Sequence, residues 1–149
     1  MARLRITPLD GDSPTLRDDC TTLLVNAFAN PKRYGAERIR AALSSGEAPY
    51  YRQFFVATEG GVLLAVGGIK AADWAANTHI LYLSAVVAER RGEGIGRQLL
   101  QARLDWITGN FKHGRILVST GKTRRFVEAG FKEVRHSLVD GRRLMIKRF

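Results

Sequence analysis

The chain of 149 residues is 45% hydrophobic and shows no linker or repeat, so we expect a single domain over residues 1–149. No apolar run reaches the ~18 residues that cross a membrane, the N-terminus lacks the apolar segment of a signal peptide, and the single Cys20 excludes an internal disulfide and fits a reducing, cytoplasmic setting. Residues 1–85 hold nine basic and eight acidic side chains but residues 86–149 hold fifteen and six, which indicates an anionic partner for the second half or a basic solvated surface.

The first third of the chain predicts a strand followed by two helices. Residues 3–9 alternate polar and apolar side chains, as a short strand does. Ser13 and Pro14 begin a helix, because serine can cap it and proline suits its first position, and Asn30-Pro31 ends it. Cys20 falls on the apolar face of this helix. Residues 36–44 predict a second helix, which residues 46–49 close.

The middle of the chain predicts three strands. Residues 53–58 and 62–71 form a hairpin around Glu59-Gly60-Gly61. The Gly67-Gly68 pair indicates a bulge or a close approach of two backbones. Residues 80–87 are mostly apolar, as expected for a central strand that is covered on both faces.

The remaining elements are two helices and three strands. A helix from Gly94 to Thr108 is expected to bury Ile95, Leu99, Ala102 and Trp106. Residues 115–119 predict a strand, residues 122–129 a short helix, and residues 131–138 and 143–147 a hairpin across Asp140-Gly141. The predicted order is β-α-α-β-β-β-α-β-α-β-β, a mixed α/β fold with a mostly antiparallel central sheet.

The segment Arg91-Gly92-Glu93-Gly94-Ile95-Gly96 lies between a predicted strand and a predicted helix. The first amides of a helix have no intrahelical partner, and glycine lets an anion approach the backbone closely. The segment lacks the Gly-Lys-Ser/Thr of a Walker loop and the third glycine of the dinucleotide fingerprint. It therefore predicts a phosphate site of a different kind.

Residues 86–100 closely resemble the acetyl-CoA-binding motif of the GNAT family of N-acetyltransferases. The shared pattern runs from a strand-ending valine through Arg91, Gly94 and Gly96 to the Leu99-Leu100 pair. A second similarity is Gly130-Phe131, after a short helix and the strand end at residues 117–120. The resemblance spans residues 78–134. It implies an acyl-CoA N-acyltransferase-like fold, in which the fourth and fifth strands splay apart, and acetyl-CoA as the donor substrate.

The resemblance also implies which residues hold the donor. The loop amides would bind the diphosphate, the edge of the fourth strand would pair with the pantetheine arm, Ser119 would lie near the sulfur, and two arginines would contact the 3′-phosphate. The complete set is Ala85, Val86, Val87, Arg91, Gly92, Glu93, Gly94, Ile95, Gly96, Arg97, Ser119, Arg124 and Arg125. No metal spacing is present among the three histidines.

The sequence departs from the family at the proton donor. The usual tyrosine position holds Phe126 or Val127, and Ser119 stands where the family has asparagine. The strand also lacks the usual glutamate base, so His79 and Tyr82 are the candidate catalytic residues. Glu59 and Glu89 are expected to be solvated, and a water held by backbone carbonyls is the alternative base.

These features predict a direct transfer of acetyl from acetyl-CoA to an amine in a ternary complex. The acceptor, a small molecule or a peptide, would enter beside residues 30–36 and 67–77, where Tyr34, Trp74 and Asn77 lie and Asp73 is the only carboxylate. A non-catalytic acyl-CoA-binding or sensing module is the alternative, and a homodimer stays open. A nucleic-acid-binding protein is disfavoured, because no helix-turn-helix or stacking aromatic pattern is present.

Overall fold

The computed structural model describes residues 3–9, 13–44 and 50–149. Its central element is a seven-stranded sheet in the order β1-β2-β3-β4-β5-β7-β6, in which every neighbouring pair is antiparallel except β4 and β5. This confirms the predicted fold class and element order. The elements are β1 Leu4–Pro8, α1 Pro14–Phe28, α2 Ala36–Ala42, β2 Arg52–Glu59, β3 Val62–Ala71, β4 Thr78–Val86, a 3-10 turn Ala88–Arg90, α3 Ile95–Asn110, β5 Arg115–Thr120, α4 Arg124–Glu128, β6 Lys132–Glu133 and β7 Arg143–Arg148.

Local signals explain where several of these elements begin and end. The Ser13 hydroxyl accepts a hydrogen bond from the Leu16 amide at 3.4 Å, and Pro14 occupies the first turn of α1, as predicted. Ala29 ends α1 in the left-handed conformation, just before the predicted stop. The closing signal at residues 46–49 lies outside the described residues.

The final hairpin was predicted with the correct turn and the wrong strand length. Asp140 and Gly141 have φ angles of 51° and 72°, which fit a tight two-residue turn, and Val139 bridges Arg142 across it. However, β6 covers only Lys132–Glu133 rather than residues 131–138. His136 adopts a φ of 58°, and a left-handed residue interrupts an extended strand.

The sheet carries a hydrophobic core on each face. The core under α1 and α2 contains Cys20, Leu24, Ile39, Phe54, Val56 and Val66. Cys20, on the predicted apolar face of α1, is fully buried there, and burial raises the pKa of its thiol to about 12, so it is a core residue rather than a nucleophile. The core under α3 contains Phe55, Leu81, Leu99, Ile107, Ile116 and Met145, among others.

The buried face of α3 differs from the predicted one. Ile95 and Leu99 are buried as expected, but Ala102 and Trp106 are only partly buried, and that part of the prediction is wrong. The helix instead turns the row Leu100, Arg103, Leu104 and Ile107 toward the sheet. The predicted face did not include this row, whose one charged member is Arg103.

The glycine pair in β3 makes two close approaches, on opposite faces of the sheet. A Cβ on Gly67 would lie 3.0 Å from the Arg103 guanidinium carbon, and a Cβ on Gly68 would lie 2.6 Å from the Phe54 ring. Opposite this pair β4 bulges, because Tyr82 pairs with Gly68 and Ala85 with Val66. The predicted irregularity is confirmed, with the extra residue on β4 rather than on β3.

Candidate active site

The site is built where β4 and β5 separate. The two parallel strands pair only from Thr78 with Arg115 to Leu81 with Val118. Beyond that point β4 continues to Val86 and β5 to Thr120 without pairing to each other, which leaves a slot between them. Leu83 has a φ of 47°, and this left-handed residue marks the bulge at the start of the free stretch. The splay implied by the resemblance is present.

Backbone alternation decides which groups of β4 face the slot. The Val87 amide donates to the Leu64 carbonyl of β3 at 2.8 Å. Because successive residues of a strand point their amides in opposite directions, the backbone of Val86 faces the slot and that of Ala85 faces β3. Of the three predicted strand-edge residues, Val86 is therefore the one placed to pair with an extended ligand.

An open anion cradle lies at the mouth of the slot. Gly92 and Gly94 have φ angles of 83° and 84°, and a Cβ on either would meet no atom within 4 Å. Gly94 is the N-cap of the 16-residue α3. Within the described chain, no amide from residues 92–97 donates to another backbone group. Free amide donors and the helix dipole are the features that a phosphate site at a helix N-terminus requires, so the predicted site stays a prediction with a suitable geometry.

Two arginines order this loop. The Arg91 Nε donates to the Val86 carbonyl at 3.1 Å. Arg90 donates to both carboxylate oxygens of Glu59, at 3.3 and 3.2 Å, and to Glu93 at 2.9 Å. The hydrogen bond to Glu59, followed by that to Glu93, raises the pKa of Arg90 above its usual value. The expectation that Glu59 is simply solvated is wrong, because its carboxylate ties the β2–β3 turn to the loop.

The structure separates the two arginines predicted to contact phosphate. A Cβ at Gly96 would collide with the Arg125 guanidinium, so Arg125 lies against the first turn of α3. Arg124 has a 93% exposed side chain and pairs with Glu128 at 3.2 Å. Arg97 also pairs with Glu128, at 3.0 Å. Of Arg124 and Arg125, it is therefore Arg125 that lies beside the free amides of the loop.

Ser119 stands on the β5 side of the slot, near the end of that strand. Its hydroxyl accepts a hydrogen bond from Arg142 Nε at 3.3 Å, and its carbonyl accepts one from Nη2 at 2.6 Å. The Thr120 hydroxyl accepts a hydrogen bond from the Lys122 amide at 3.0 Å, which closes a short turn ahead of α4. Ser119 is thus at the slot but already held by Arg142.

His79 lies away from the slot, in the closed part of the sheet. It pairs in register with Ile116 of β5 and is 3% exposed. Its Nδ1 shares a short hydrogen bond with the Tyr51 hydroxyl, and its ring packs 4.3 Å from that of Phe111. Burial lowers the pKa of this imidazole. The structure does not bring His79 to the loop or to the free edge of β4.

Tyr82 is the first residue of the free stretch of β4, but its side chain points toward the α1 face. Its ring packs against Phe54 at 5.4 Å, and the Lys70 ammonium lies 4.7 Å from the ring centroid. The hydroxyl is buried without a partner among the described residues, and burial raises the pKa of Tyr82 to about 12. At the expected tyrosine position, Phe126 packs on Phe131 and Val127 is exposed.

Arg103 is the feature that sequence reasoning missed. It is 2% exposed, and its guanidinium donates to the Gly68 carbonyl at 3.2 Å and to the Ser84 hydroxyl at 3.3 Å. Burial, and next the charge of Arg125, lower the pKa of Arg103 to about 10, so it stays charged at neutral pH. Among the described residues no carboxylate pairs with it. The sequence signal that could have revealed it is the position of Arg103 in a helix row that otherwise holds Leu100, Leu104 and Ile107.

A cavity of about 650 Å³ adjoins the loop on the α1 side. The wall between this cavity and the loop is formed by Val86, Val87 and Arg91. The cavity is also lined by two carboxylates, Asp19 and Glu89. The described residues contain no cluster of three side chains suited to a metal ion. Nor does any helix in the described ranges have the length and apolar character needed to cross a membrane.

Comparison with known proteins identifies the class. Residues 18–131 match the family model described as the acetyltransferase (GNAT) family, and the chain therefore belongs to that family. No curated protein sequence matches the chain significantly. Members of this family generally use acyl-CoA donors and act on small-molecule or peptide acceptors, and the fold of this chain is consistent with acyl transfer.

Solved structures agree on the fold. The chain is similar to an acyl-CoA N-acyltransferase from Pseudomonas aeruginosa, with a TM-score of 0.77, 16% identity, and coverage of 97% of this chain and 99% of that one. Escherichia coli ElaA gives a TM-score of 0.77 at 15% identity, with 99% of both chains covered. An aminoglycoside 6'-acetyltransferase type Ii gives 0.75 at 20% identity, with 96% of both covered.

Proposed function

We propose that the chain transfers an acetyl group from acetyl-CoA to an amine by direct attack in a ternary complex. The observation that carries the proposal is the open slot between β4 and β5, which leads to a helix N-terminus with free amides. A pantetheine arm is peptide-like and extended, so it can pair with the Val86 backbone as an added strand would. The loop amides would bind the diphosphate of the donor, and Arg125, which lies against the first turn of α3, would contact its phosphate groups.

The chemistry requires a neutral amine and a stabilised thioester oxygen. The Val86 amide faces the slot and is the proposed donor to that oxygen. His79 is buried in the closed part of the sheet, so we assign the amine proton to a water in the slot rather than to this residue. The Arg91 side chain, which now donates to the Val86 carbonyl, would have to share that carbonyl with the pantetheine arm.

For the acceptor we retain the region beside residues 30–36 and 67–77. Trp74 is 66% exposed on the loop before β4, and the Tyr34 ring lies tilted against the Phe28 ring with centroids 4.6 Å apart, so both segments carry an aromatic side chain. Asp73 is exposed on the loop after β3. Because Asp73 is the one carboxylate in these two segments, they offer little negative charge to a polycationic acceptor such as an aminoglycoside.

The second candidate is a non-catalytic acyl-CoA-binding module, favoured by the absence of a proton donor at Phe126 and Val127. The test is release of free thiol from acetyl-CoA with a panel of primary amines, alongside direct measurement of CoA binding. Turnover with any amine supports the transferase. Tight binding without turnover supports the module. Binding of nucleic acid with a steep salt dependence and no binding of CoA refutes both.

A further inference from the structure

The buried charge of Arg103 has no electrostatic partner in the part of the chain that the structure describes. A guanidinium has five N–H donors, and three of the Arg103 nitrogens find acceptors, all of them neutral oxygens. A buried cation without a nearby anion is costly, because the loss of hydration is not repaid. The fold nevertheless makes room for it, since Gly67 lacks the side chain that would collide with it.

Arg103 lies behind the free edge of β4. It contacts Gly68 of β3 and Ser84, which sits in the bulge where the slot begins. Ser84 is an exposed residue of the free stretch of β4, so we take its hydroxyl as the link between the buried charge and the slot. The other charged group close enough to influence Arg103 is Arg125, at the mouth of the slot. Asp105, on the same helix, is exposed and accepts a hydrogen bond from Gln101.

The hydrogen bond between Arg103 and Ser84 has a fixed direction. Guanidinium can only donate, so Ser84 Oγ accepts, and the hydroxyl proton of Ser84 is left free to donate elsewhere. A hydroxyl that accepts from a cation is a stronger donor, because the charge polarises it. Ser84 can thus present a donor to an anion that forms in the slot.

We propose that Arg103, acting through the Ser84 hydroxyl, stabilises the coenzyme A thiolate that leaves during acyl transfer. This proposal rests on the proposed function. The amine lone pair forms the C–N bond at the thioester carbon, the C–S bond breaks, and sulfur keeps the electron pair. Water takes the proton that the nitrogen loses and later protonates the thiolate. Ser84 donates a hydrogen bond and keeps its proton, so charge stabilisation replaces the acid that Phe126 and Val127 cannot supply.

The proposal predicts a lowered thiol pKa in the CoA complex. Affinities of CoA and of desulfo-CoA, which has no thiol, are compared by calorimetry from about pH 6.5 to about pH 9.5, around the free-thiol value of about 8.5. A pKa lowered by about one unit raises CoA affinity up to about tenfold across this range, while desulfo-CoA affinity follows only the protein's own titration. Equal pH dependence of the two ligands would overturn the proposal.

Three variants assign the effect. Ser84→Ala and Arg103→Met should abolish the difference between the two ligands, and Arg103→Lys, which keeps the charge, should retain part of it. Thr108→Ala is the matched control, because that hydroxyl donates to the Leu104 carbonyl near the C-terminal end of α3, away from the slot. A variant that only loses packing would bind CoA and desulfo-CoA more weakly by the same factor. If Arg103→Met fails to fold, Ser84→Ala alone tests the proposal, because Ser84 is exposed and its replacement leaves the core intact.

Kinetics give an independent readout. In Ser84→Ala, kcat for acetyl transfer should fall about tenfold while KM for acetyl-CoA stays the same, because the interaction forms only as the sulfur leaves. The alternative is that the Arg103 charge binds the acyl group rather than the thiolate. In that case the unmodified protein would turn over a dicarboxylic acyl-CoA faster than acetyl-CoA, and Arg103→Met would lose this preference. That result would overturn the proposal. If neither CoA nor desulfo-CoA binds, the proposed function fails as well; turnover without the pH difference refutes this inference alone.

Discussion

Replacing Gly94 with aspartate places a carboxylate in the anion cradle. Gly94 is the N-cap of α3 with φ 84°, and the space around a Cβ there is empty, so the new side chain meets no steric obstacle. The left-handed backbone costs about 1–2 kcal/mol for a residue with a Cβ, and less for Asp or Asn. The carboxylate also satisfies helix amides, which stabilises α3 by about 0.3–1 kcal/mol. The variant should therefore fold.

Donor binding should weaken strongly in this variant. A carboxylate about 5 Å from a phosphate costs about 0.8 kcal/mol per unit charge in water and about 3 kcal/mol at an effective dielectric constant of about 20. A diphosphate with two charges would then lose at least about 1.6 kcal/mol, or more than about tenfold in affinity. The carboxylate would also compete directly for the free amides.

Gly94→Asn is the matched control, because asparagine has the same shape and tolerates the same backbone without the charge. We expect Gly94→Asp to unfold at the same or a higher urea concentration than Gly94→Asn and yet to bind CoA at least about tenfold more weakly in calorimetry. Equal CoA affinity of the two variants would refute a diphosphate site at this helix terminus.

Three further outcomes follow from the packing. Arg125→Gln should weaken CoA binding about tenfold and Arg124→Gln should not, because only Arg125 lies against the first turn of α3; equal losses in calorimetry would contradict this assignment. Leu99→Ala should lower the free energy of unfolding by about 2–5 kcal/mol, since the side chain is fully buried, whereas the exposed Gln98→Ala should stay within about 0.5 kcal/mol in urea titration. The lowered pKa of His79 means that the unfolded chain takes up its proton first, so stability should fall as the pH drops below about 6.5; His79→Gln should flatten that fall in urea midpoints and keep acetyl transfer, and loss of turnover would instead support a catalytic role.

Periodicity and turn chemistry determined most of the fold without the structure. Ser13 and Pro14 begin α1, and the glycines at 92 and 94 mark the passage from β4 to α3, because caps and left-handed residues act through neighbouring backbone atoms. The same short-range logic predicted the turn at Asp140-Gly141. Fold class followed from the order of the elements.

The slot between β4 and β5 and the burial of individual polar side chains were decided by tertiary structure. The separation of β4 from β5 is invisible in either strand, because a strand's own side chains do not record whether its neighbour is paired. Burial reassigned His79 from a candidate base to a member of an aromatic cluster. Arg103 was overlooked because a charge is expected at the surface, yet the space over Gly67 and the oxygens of Gly68 and Ser84 hold it inside. Local signals determine where the helices and strands lie in the chain. Contacts between distant segments determine the slot between β4 and β5 and the burial of the Arg103 charge behind it.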